Sequence, residues 1–425
     1  MQITIQKTPT SRLSEVDFDN LAFGRSFADH MLVAEYADGA WKSVQIQPYG
    51  PLSYQPAMMS IHYGQSIFEG MKAYRSKQGE VLVFRPEQNM KRFNKSALRM
   101  CMPEVPEEIF LGGLKQLIQL DNAWVPEKEG CSLYIRPFMF ATDEYVGVSP
   151  STTYKFIIFL CPVGSYYSKP LRVRVETEYI RAAKGGVGFA KNAGNYGGSL
   201  YPTIEANKAG YDQIIWTDAA THQYVEEAGT MNLMFIINGA LVTAPTGDTI
   251  LDGVTRKSVI QIAKDWGVEV QERLLSVKEL VEGISTGAVT EAFGAGTAAV
   301  IAPIQTIGFD GKDYDEDANF DGDVKYHLGL TSDRVSVSGK KINLNLAPNP
   351  SHLETVGAVI EGITRAKQDR YFADDFSKVL PIAVHGDAAV AGQGIVYEII
   401  QMAKLDGYKT GGTIHLVINN QVGFT

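Results

Sequence analysis

The stretch 185–201, GGVGFAKNAGNYGGSLY, sets one lysine, Lys191, among six glycines and two asparagines, with Tyr196 five positions on. Glycine lets backbone pass close to a bound group and adopt positive φ, so a glycine-rich loop broken by one lysine and one tyrosine reads as a ligand seat. A lysine amine that is desolvated, or placed beside another cation, keeps its lone pair free and can form a Schiff base. A solvated loop lysine is the plain alternative, and only partners elsewhere in the chain can decide between the two.

Such partners exist on both sides. Glu226, Glu227 and Thr230 stand just before a predicted strand pair, although adjacent glutamates are more often surface charge. Gly253-Val254-Thr255 opens a predicted helix, whose free N–H groups suit a phosphate, and the turn Gly294 to Thr297 is a second candidate anion nest. Upstream, Met90, Phe93, Ala97 and Met100 recur at helical spacing over Gln88–Met102, with Lys91, Arg92, Lys95 and Arg99 between them. One of those cations could hold a phosphate, and spacing alone does not choose which. Tyr134 and Arg136 lie two positions apart on a predicted strand, hence on one face, where an arginine calls for an anion or a neighbouring glutamate.

The elements that position these residues alternate along the chain. Residues 30–48 alternate apolar and polar around Asp38-Gly39, which predicts a hairpin, and Asn238-Gly239 predicts another. Strands are expected at EVLVFRP, CSLYIRPFMF, YKFIIFL, LRVRVET and QIIWTD. Helices are expected over 107–124, from Ser199 to about Lys208, and after Gly253 with Ile260, Ala263 and Trp266 on the buried side. GAVTEAFGAGTAAVIAPI gives two strands flanking the 294–297 turn.

Composition narrows the function. With 425 residues, 45% hydrophobic and 20% charged, the chain has room for two to four globular domains. A net charge of −9 without a basic stripe argues against nucleic acid. The apolar run Phe156–Val163 is too short to span a bilayer, and the amino terminus lacks a secretory pattern. Cys101, Cys131 and Cys161 form no CxxC pair, which fits reduced thiols in the cytoplasm, and the histidines show no zinc-ligand spacing.

Six motifs in order, HYGQSIFEGMKAY, LYIRPF, KNAGNYG, EEAGTMNL, GVTRKS and FGAGTA, resemble the branched-chain aminotransferases, pyridoxal-phosphate enzymes of fold type IV. The likeness runs to about Tyr314. It implies a mixed α+β and α/β architecture, a small domain at 1–160 and a larger cofactor-binding domain at 161–314. It also implies a homodimer with its site near subunit and domain junctions. The reaction implied is amino transfer between leucine, isoleucine or valine and 2-oxoglutarate, giving the branched-chain 2-oxoacids and glutamate. By the same resemblance, Lys191 carries the cofactor and moves the substrate proton, and Glu227 faces the pyridine nitrogen. Tyr196 meets the ring oxygen, while Arg92, Thr230, Val254, Thr255 and Thr297 complete the cofactor set; Glu226 is then plain surface charge. Tyr63, Phe68 and Tyr134 form an aromatic wall for the substrate, Arg136 meets a distal carboxylate, and Thr297 and Ala298 offer amides to the α-carboxylate. D-amino-acid aminotransferase and aminodeoxychorismate lyase are neighbouring readings in the same fold, and LYIRPF with the aromatic wall speaks against both.

Past an acidic junction at 315–323, the chain changes character. DVKYHLGLTSD, NPSHLE, VLPIAVHGDAAVAGQG and IHLVINNQVGFT, within about 320–425 and assigned to a part at 324–425, resemble the E1 component of 2-oxoglutarate dehydrogenase. VLPIAVHGD and TIHLVINN read as buried strands of one βαβ unit, with a helix over Gly394–Leu405 between them. Asp387 and Asn420 then stand at strand ends, where open α/β sheets bind ligands. The resemblance implies Mg²⁺ held by Asp387, Asn420 and the Val422 carbonyl on thiamine diphosphate, and a substrate-facing His327. Only part of that binding domain and no final aminotransferase segment are recognisable, so the expectation is that neither Mg²⁺ nor thiamine diphosphate is bound. A thiamine-diphosphate decarboxylase fragment and an inactive natural or misassembled fusion are the alternative readings.

Overall fold

The computed structural model describes residues 2–128, 130–164, 166–167, 169–315, 330–336, 338–347, 355–373, 375–386, 388, 390 and 394–418. The chain divides into two compact units, Met1–Asn319 and Phe320–Thr425.

The first unit is built on two sheets. One contains β1 (Thr4–Ile5), β2 (His30–Ala37), β3 (Ala40–Pro48), β4 (Ser66–Phe68), β5 (Met71–Arg75), β6 (Val81–Val83), β7 (Ser132–Ala141) and β8 (Tyr154–Val163). Its strand order is β1-β3-β2-β8-β7-β5-β6, with β4 also on β7. Three helices accompany it: α1 (Met59–Tyr63), α2 (Pro86–Arg99) and α3 (Glu107–Leu120). The predicted hairpin forms with Asp38 and Gly39 both at positive φ, 50° and 74°, the turn that matches the twist of paired strands. Phe93 of α2 and Phe110 of α3 pack on Phe156 of β8, with ring centroids 5.4 and 5.5 Å away, inside a core that also buries Leu32, Ile46, Met71 and Trp124.

The second sheet contains β9 (Leu171–Val175), β10 (Gln213–Thr217), β11 (Val225–Ala228), β12 (Asn232–Ile237), β13 (Ala240–Thr243), β14 (Val270–Glu272), β15 (Val289–Gly296), β16 (Val300–Phe309) and β17 (Lys312–Asp315). The order is β11-β10-β9-β16-β15-β12-β13-β14, with β17 beside β16 and β11 also bridging to β12. The helices here are α4 (Gly194–Gly197), α5 (Leu200–Lys208), α6 (Val254–Asp265) and α7 (Val277–Thr286). Leu171, Val173, Leu233, Phe235 and Leu280 share the core beneath the sheet.

One expectation is corrected here and another refined. Trp266 is 80% exposed, because α6 stops at Asp265 and the helical period does not extend to the next residue. Glu226 and Glu227 do precede the predicted strand pair, β12–β13, but lie in a further strand, β11, that the sequence pattern does not predict there.

Of the second unit, the described elements are a hairpin of β18 (Leu330–Val335) and β19 (Lys341–Leu346), α8 (Thr355–Tyr371), a helix over Gly394–Met402, and β20 (Ile382–Gly386) parallel to β21 (Ile414–Ile418). The βαβ order matches expectation, but the burial does not: β20 and β21 expose Ile382, Val384, Leu416 and Ile418. Among the described residues, no helix is long and apolar enough to cross a membrane.

Phe156→Ala should destabilise the first unit by about 3–5 kcal/mol in urea titration, because a ring packed on three aromatic neighbours leaves a cavity that cannot collapse. Trp266→Ala should stay within about 0.5 kcal/mol of the parent.

Candidate active site

The glycine-rich loop is laid against β4 as an added edge. Phe68 N–H donates to the Lys191 carbonyl at 3.0 Å and Ala193 N–H to the Ser66 carbonyl at 3.0 Å. Lys191 N–H donates in turn to Ser96 Oγ on α2 at 3.0 Å. With its backbone held on both sides, Lys191 sends its side chain into a cavity of about 610 Å³. There Nζ donates to the Tyr196 hydroxyl at 2.7 Å and lies 4.8 Å from the centre of the Phe68 ring.

At another side of the cavity, α2 presents Arg92, which is 9% exposed. Glu69, fully buried just after β4, receives Arg92 Nε at 2.7 Å and Nη2 at 2.9 Å, in the two-pronged geometry that fixes a guanidinium plane. Asn89 Nδ2 supports the same carboxylate at 2.8 Å. Burial pushes the Glu69 carboxyl up, but the Arg92 charge and its hydrogen bonds outweigh this and hold it below the ordinary glutamate value. Arg92 Nη1 donates to the Asp252 carbonyl at 3.1 Å, which sets the guanidinium beside the start of α6. No side chain caps that start. Gly253 is required there, since a Cβ would lie 2.0 Å from Asn232 Oδ1. The uncapped N–H groups and the guanidinium together make an anion seat.

Glu227 comes from β11 and is 5% exposed. Arg181 Nη2 pairs with its Oε1 at 2.8 Å, and Leu251 N–H donates to Oε2 at 2.9 Å. Burial pushes the Glu227 carboxyl up, against the pull of Arg181 and the Leu251 amide. Glu226 is not a solvated charge: it accepts from Thr249 Oγ1 at 2.6 Å, and its Oε2 is buried without a partner.

The remaining wall belongs to β7 and the β15–β16 turn. Arg136 Nη2 donates to the Tyr134 hydroxyl at 3.0 Å, and its guanidinium lies over the Phe68 ring at 4.7 Å. Arg136 Nε is buried without a partner, and among the described residues no carboxylate pairs with this arginine. Gly70 lets the Tyr134 hydroxyl lie against the backbone, where a Cβ would come within 2.2 Å of it. Opposite, Thr297 and Ala298 line the cavity from the turn, and Lys72 Nζ of β5 donates to the Ala298 carbonyl at 2.7 Å.

The cavity thus gathers Lys191, Tyr196, Glu227, Arg92, Thr230, Val254, Thr255, Thr297, Ala298, Phe68, Tyr134 and Arg136. Tyr63 is not among them. It ends α1, is 43% exposed, and its hydroxyl donates to the Val146 carbonyl. Asp387, Asn420, Val422 and His327 lie outside the described residues, and among the described ones no group of three or more His, Cys, Asp or Glu could hold a metal. Sequence reasoning misses Glu69, Arg181 and Lys72. Each acts on a partner distant in sequence, and the only local signal is a charge set in an apolar strand or a glycine-rich loop.

Residues 66–307 match the family model for amino-transferase class IV, and residues 313–425 that for the dehydrogenase E1 component. A probable branched-chain-amino-acid aminotransferase of Staphylococcus aureus (strain MRSA252) is 49% identical over 317 residues, covering 73% of this chain and 88% of the relative. The branched-chain amino acid aminotransferase of Escherichia coli aligns in structure with a TM-score of 0.56 and 29% identity, over 68% of this chain and 88% of that one. The branched-chain aminotransferase of the thermophilic archaeon Thermoproteus uzoniensis, solved with norvaline, aligns with a TM-score of 0.56 and 28% identity, over 66% of this chain and 88% of that one.

Glu69→Gln should weaken the protein at neutral pH by about 3–5 kcal/mol, since it leaves the buried Arg92 uncompensated. The folded carboxyl lies below the ordinary value of 4.5, so its contribution is present above that pH and lost as pH falls through the folded value. Denaturation midpoints measured from pH 7 down to pH 3 should therefore decline less steeply in Glu69→Gln than in the parent.

Proposed function

Because the chain belongs to the class IV aminotransferases, within them to the branched-chain-amino-acid aminotransferases of fold type IV, we propose that its cavity binds pyridoxal 5'-phosphate. There it transfers the amino group of leucine, isoleucine or valine to 2-oxoglutarate, giving the branched-chain 2-oxoacid and glutamate. The observation that carries this reading is the convergence, in one cavity, of an amine on a clamped backbone, an anion seat, and a buried carboxylate backed by an arginine.

The residues present fit that cofactor. Arg92 and the uncapped α6 start at Val254 and Thr255, with Thr297 and Thr230 near them, would receive its phosphate. Glu227 would hold the proton on its ring nitrogen, and Tyr196 would meet its ring oxygen while orienting Lys191 Nζ. When bound, the cofactor supplies an electron sink for the pair left at the substrate α-carbon. Lys191, anchored through its own N–H and carbonyl, accepts the proton released at that carbon. The amides of Thr297 and Ala298 hold the α-carboxylate, and Phe68 and Tyr134 cover the aliphatic side chain. Arg136, whose buried Nε has no partner, meets the distal carboxylate of glutamate or 2-oxoglutarate. A pocket that accepts both an apolar chain and a carboxylate needs one cation set among aromatic faces, and Arg136 over Phe68 supplies it.

We further propose a homodimer in the cytoplasm. Ile61, Tyr63, Tyr145, Val146 and Val148 are exposed apolar groups on two adjoining segments, which supports association, and the three cysteines are free thiols. Tyr63 would serve the substrate wall only through such an assembly. The proposed division is 1–160 and 161–314 for the two aminotransferase domains, an acidic junction at 315–323, and 324–425 for the E1-like part. The sheets separate between Val163, the end of β8, and Leu171, the start of β9, which supports a first boundary just beyond 160.

The purified chain with pyridoxal phosphate should be yellow. Borohydride should fix the cofactor to the peptide containing Lys191, and Lys191→Ala should abolish both fixation and leucine transamination. A colourless protein that takes up no cofactor overturns the reading. Arg136→Ala should lower kcat/KM for glutamate by roughly tenfold more than for leucine, since only glutamate loses a charge partner. Equal losses would remove that role from Arg136.

A further inference from the structure

Lys72 is a buried cation that the transamination scheme leaves without a task. It is 8% exposed on β5, directly across the strand pair from Tyr134, and among the described residues no carboxylate pairs with it. Burial alone pushes its ammonium down to about 8. Its hydrogen bond crosses from the first sheet to the second, from Nζ to the Ala298 carbonyl at 2.7 Å. The side chain stands behind the turn rather than in the main cavity: it lines two smaller cavities, of about 350 and 410 Å³, that share Thr297 or Ala298 with the main one.

The turn it touches is under strain. Gly296 and Val300 pair across the β15–β16 hairpin, leaving Thr297, Ala298 and Ala299 as a three-residue loop. Val300, the strand residue paired with Gly296 directly after the loop, is held at φ 61°, in the left-handed region normally left to glycine. A β-branched residue held in that region persists only when its surroundings over-determine the backbone. Lys72 is a clamp of the required kind, reaching the loop from a different sheet.

We propose that Lys72 is a positioning residue for substrate carboxylates: through the Ala298 carbonyl it fixes the Thr297–Ala298 turn, and it places an uncompensated positive charge behind the amides that the α-carboxylate meets. Because the charge is shielded from water, it acts on an anion across the turn with little screening by salt. The role rests on the transaminase reading, and it concerns every substrate of that reaction, since the amino acids and the 2-oxoacids all carry the same carboxylate.

The test uses the full chain loaded with pyridoxal phosphate, and Lys72→Met and Lys72→Arg beside the parent. Calorimetry would measure Kd for 4-methylvalerate, the leucine skeleton without its amine, and for its neutral amide. In Lys72→Met the carboxylate Kd should rise on the order of tenfold, with KM for leucine and for 2-oxoglutarate rising together. The neutral amide, which uses the turn but not the charge, should lose less affinity than the acid, and the bound cofactor should not change. Thermal stability should hold or increase, because an apolar chain replaces a buried unpaired charge. Lys72→Arg should recover most of the carboxylate affinity. An unchanged carboxylate Kd in Lys72→Met, or equal weakening of acid and amide, overturns the positioning role and leaves the transaminase reading standing. A parent protein that neither binds 4-methylvalerate nor transaminates leucine overturns both.

Discussion

The site depends on backbone hydrogen bonds that tie the Lys191 loop to β4 and α2. A loop with glycines at 185, 186, 188, 194, 197 and 198 has many conformations to lose, and ordering it costs entropy. The cost is offset because the loop behaves as an edge strand: it exchanges hydrogen bonds with Ser66 and Phe68, and Asn192 bridges to Ile67. Lys191 and Tyr196 are the two long side chains of the loop that line the cavity. The lysine belongs to the stretch between β9 and β10 of the second sheet but takes its position from the first.

Charge around that lysine is sorted by whether it is compensated. Arg92 and Glu69 are both buried and mutually satisfied, so Arg92 can stand at the cavity wall without an unpaired desolvation penalty. Arg181 and Glu227 form a second pair on another side. Arg136 and Lys72 have no such carboxylate among the described residues, and both stand where a substrate carboxylate is expected. In the proposed function the compensated cations serve the cofactor, and the uncompensated ones serve ligands that arrive and leave carrying negative charge.

What is legible in the sequence is local. Asp38-Gly39 and Asn238-Gly239 announce their hairpins because a turn with positive φ at both positions admits few residue types. The choice of Arg92 among four cations on α2 comes from resemblance, and its burial beside Asn89, Phe93 and Ser96 is consistent with that choice. Trp266 departs from expectation because helical periodicity does not report where a helix stops. Glu69, Arg181 and Lys72 are invisible for a different reason: each partners a group far away in sequence, at Arg92, Glu227 and Ala298, and only tertiary packing brings them together. Tyr63 shows the converse, since a residue well matched by motif points away from the cavity within a single chain.

The two anion seats share one construction. In each, a cation from the first sheet or its helix donates to a main-chain carbonyl at the edge of a turn in the second half: Arg92 to Asp252, ahead of the α6 start, and Lys72 to Ala298, within the β15–β16 turn. A carbonyl held in this way fixes the peptide planes beside it, and so the direction of the neighbouring N–H groups on which anion binding relies. The two bonds also cross between the sheets at separate points, so any shift of one sheet against the other would disturb both seats at once. Both proposed seats, for phosphate and for carboxylate, thus depend on the same sheet-to-sheet geometry. As proposed, the seat with the compensated arginine would rely on geometry to hold a multiply charged phosphate, whereas the seat with the unpaired lysine would keep more of its field for a singly charged carboxylate.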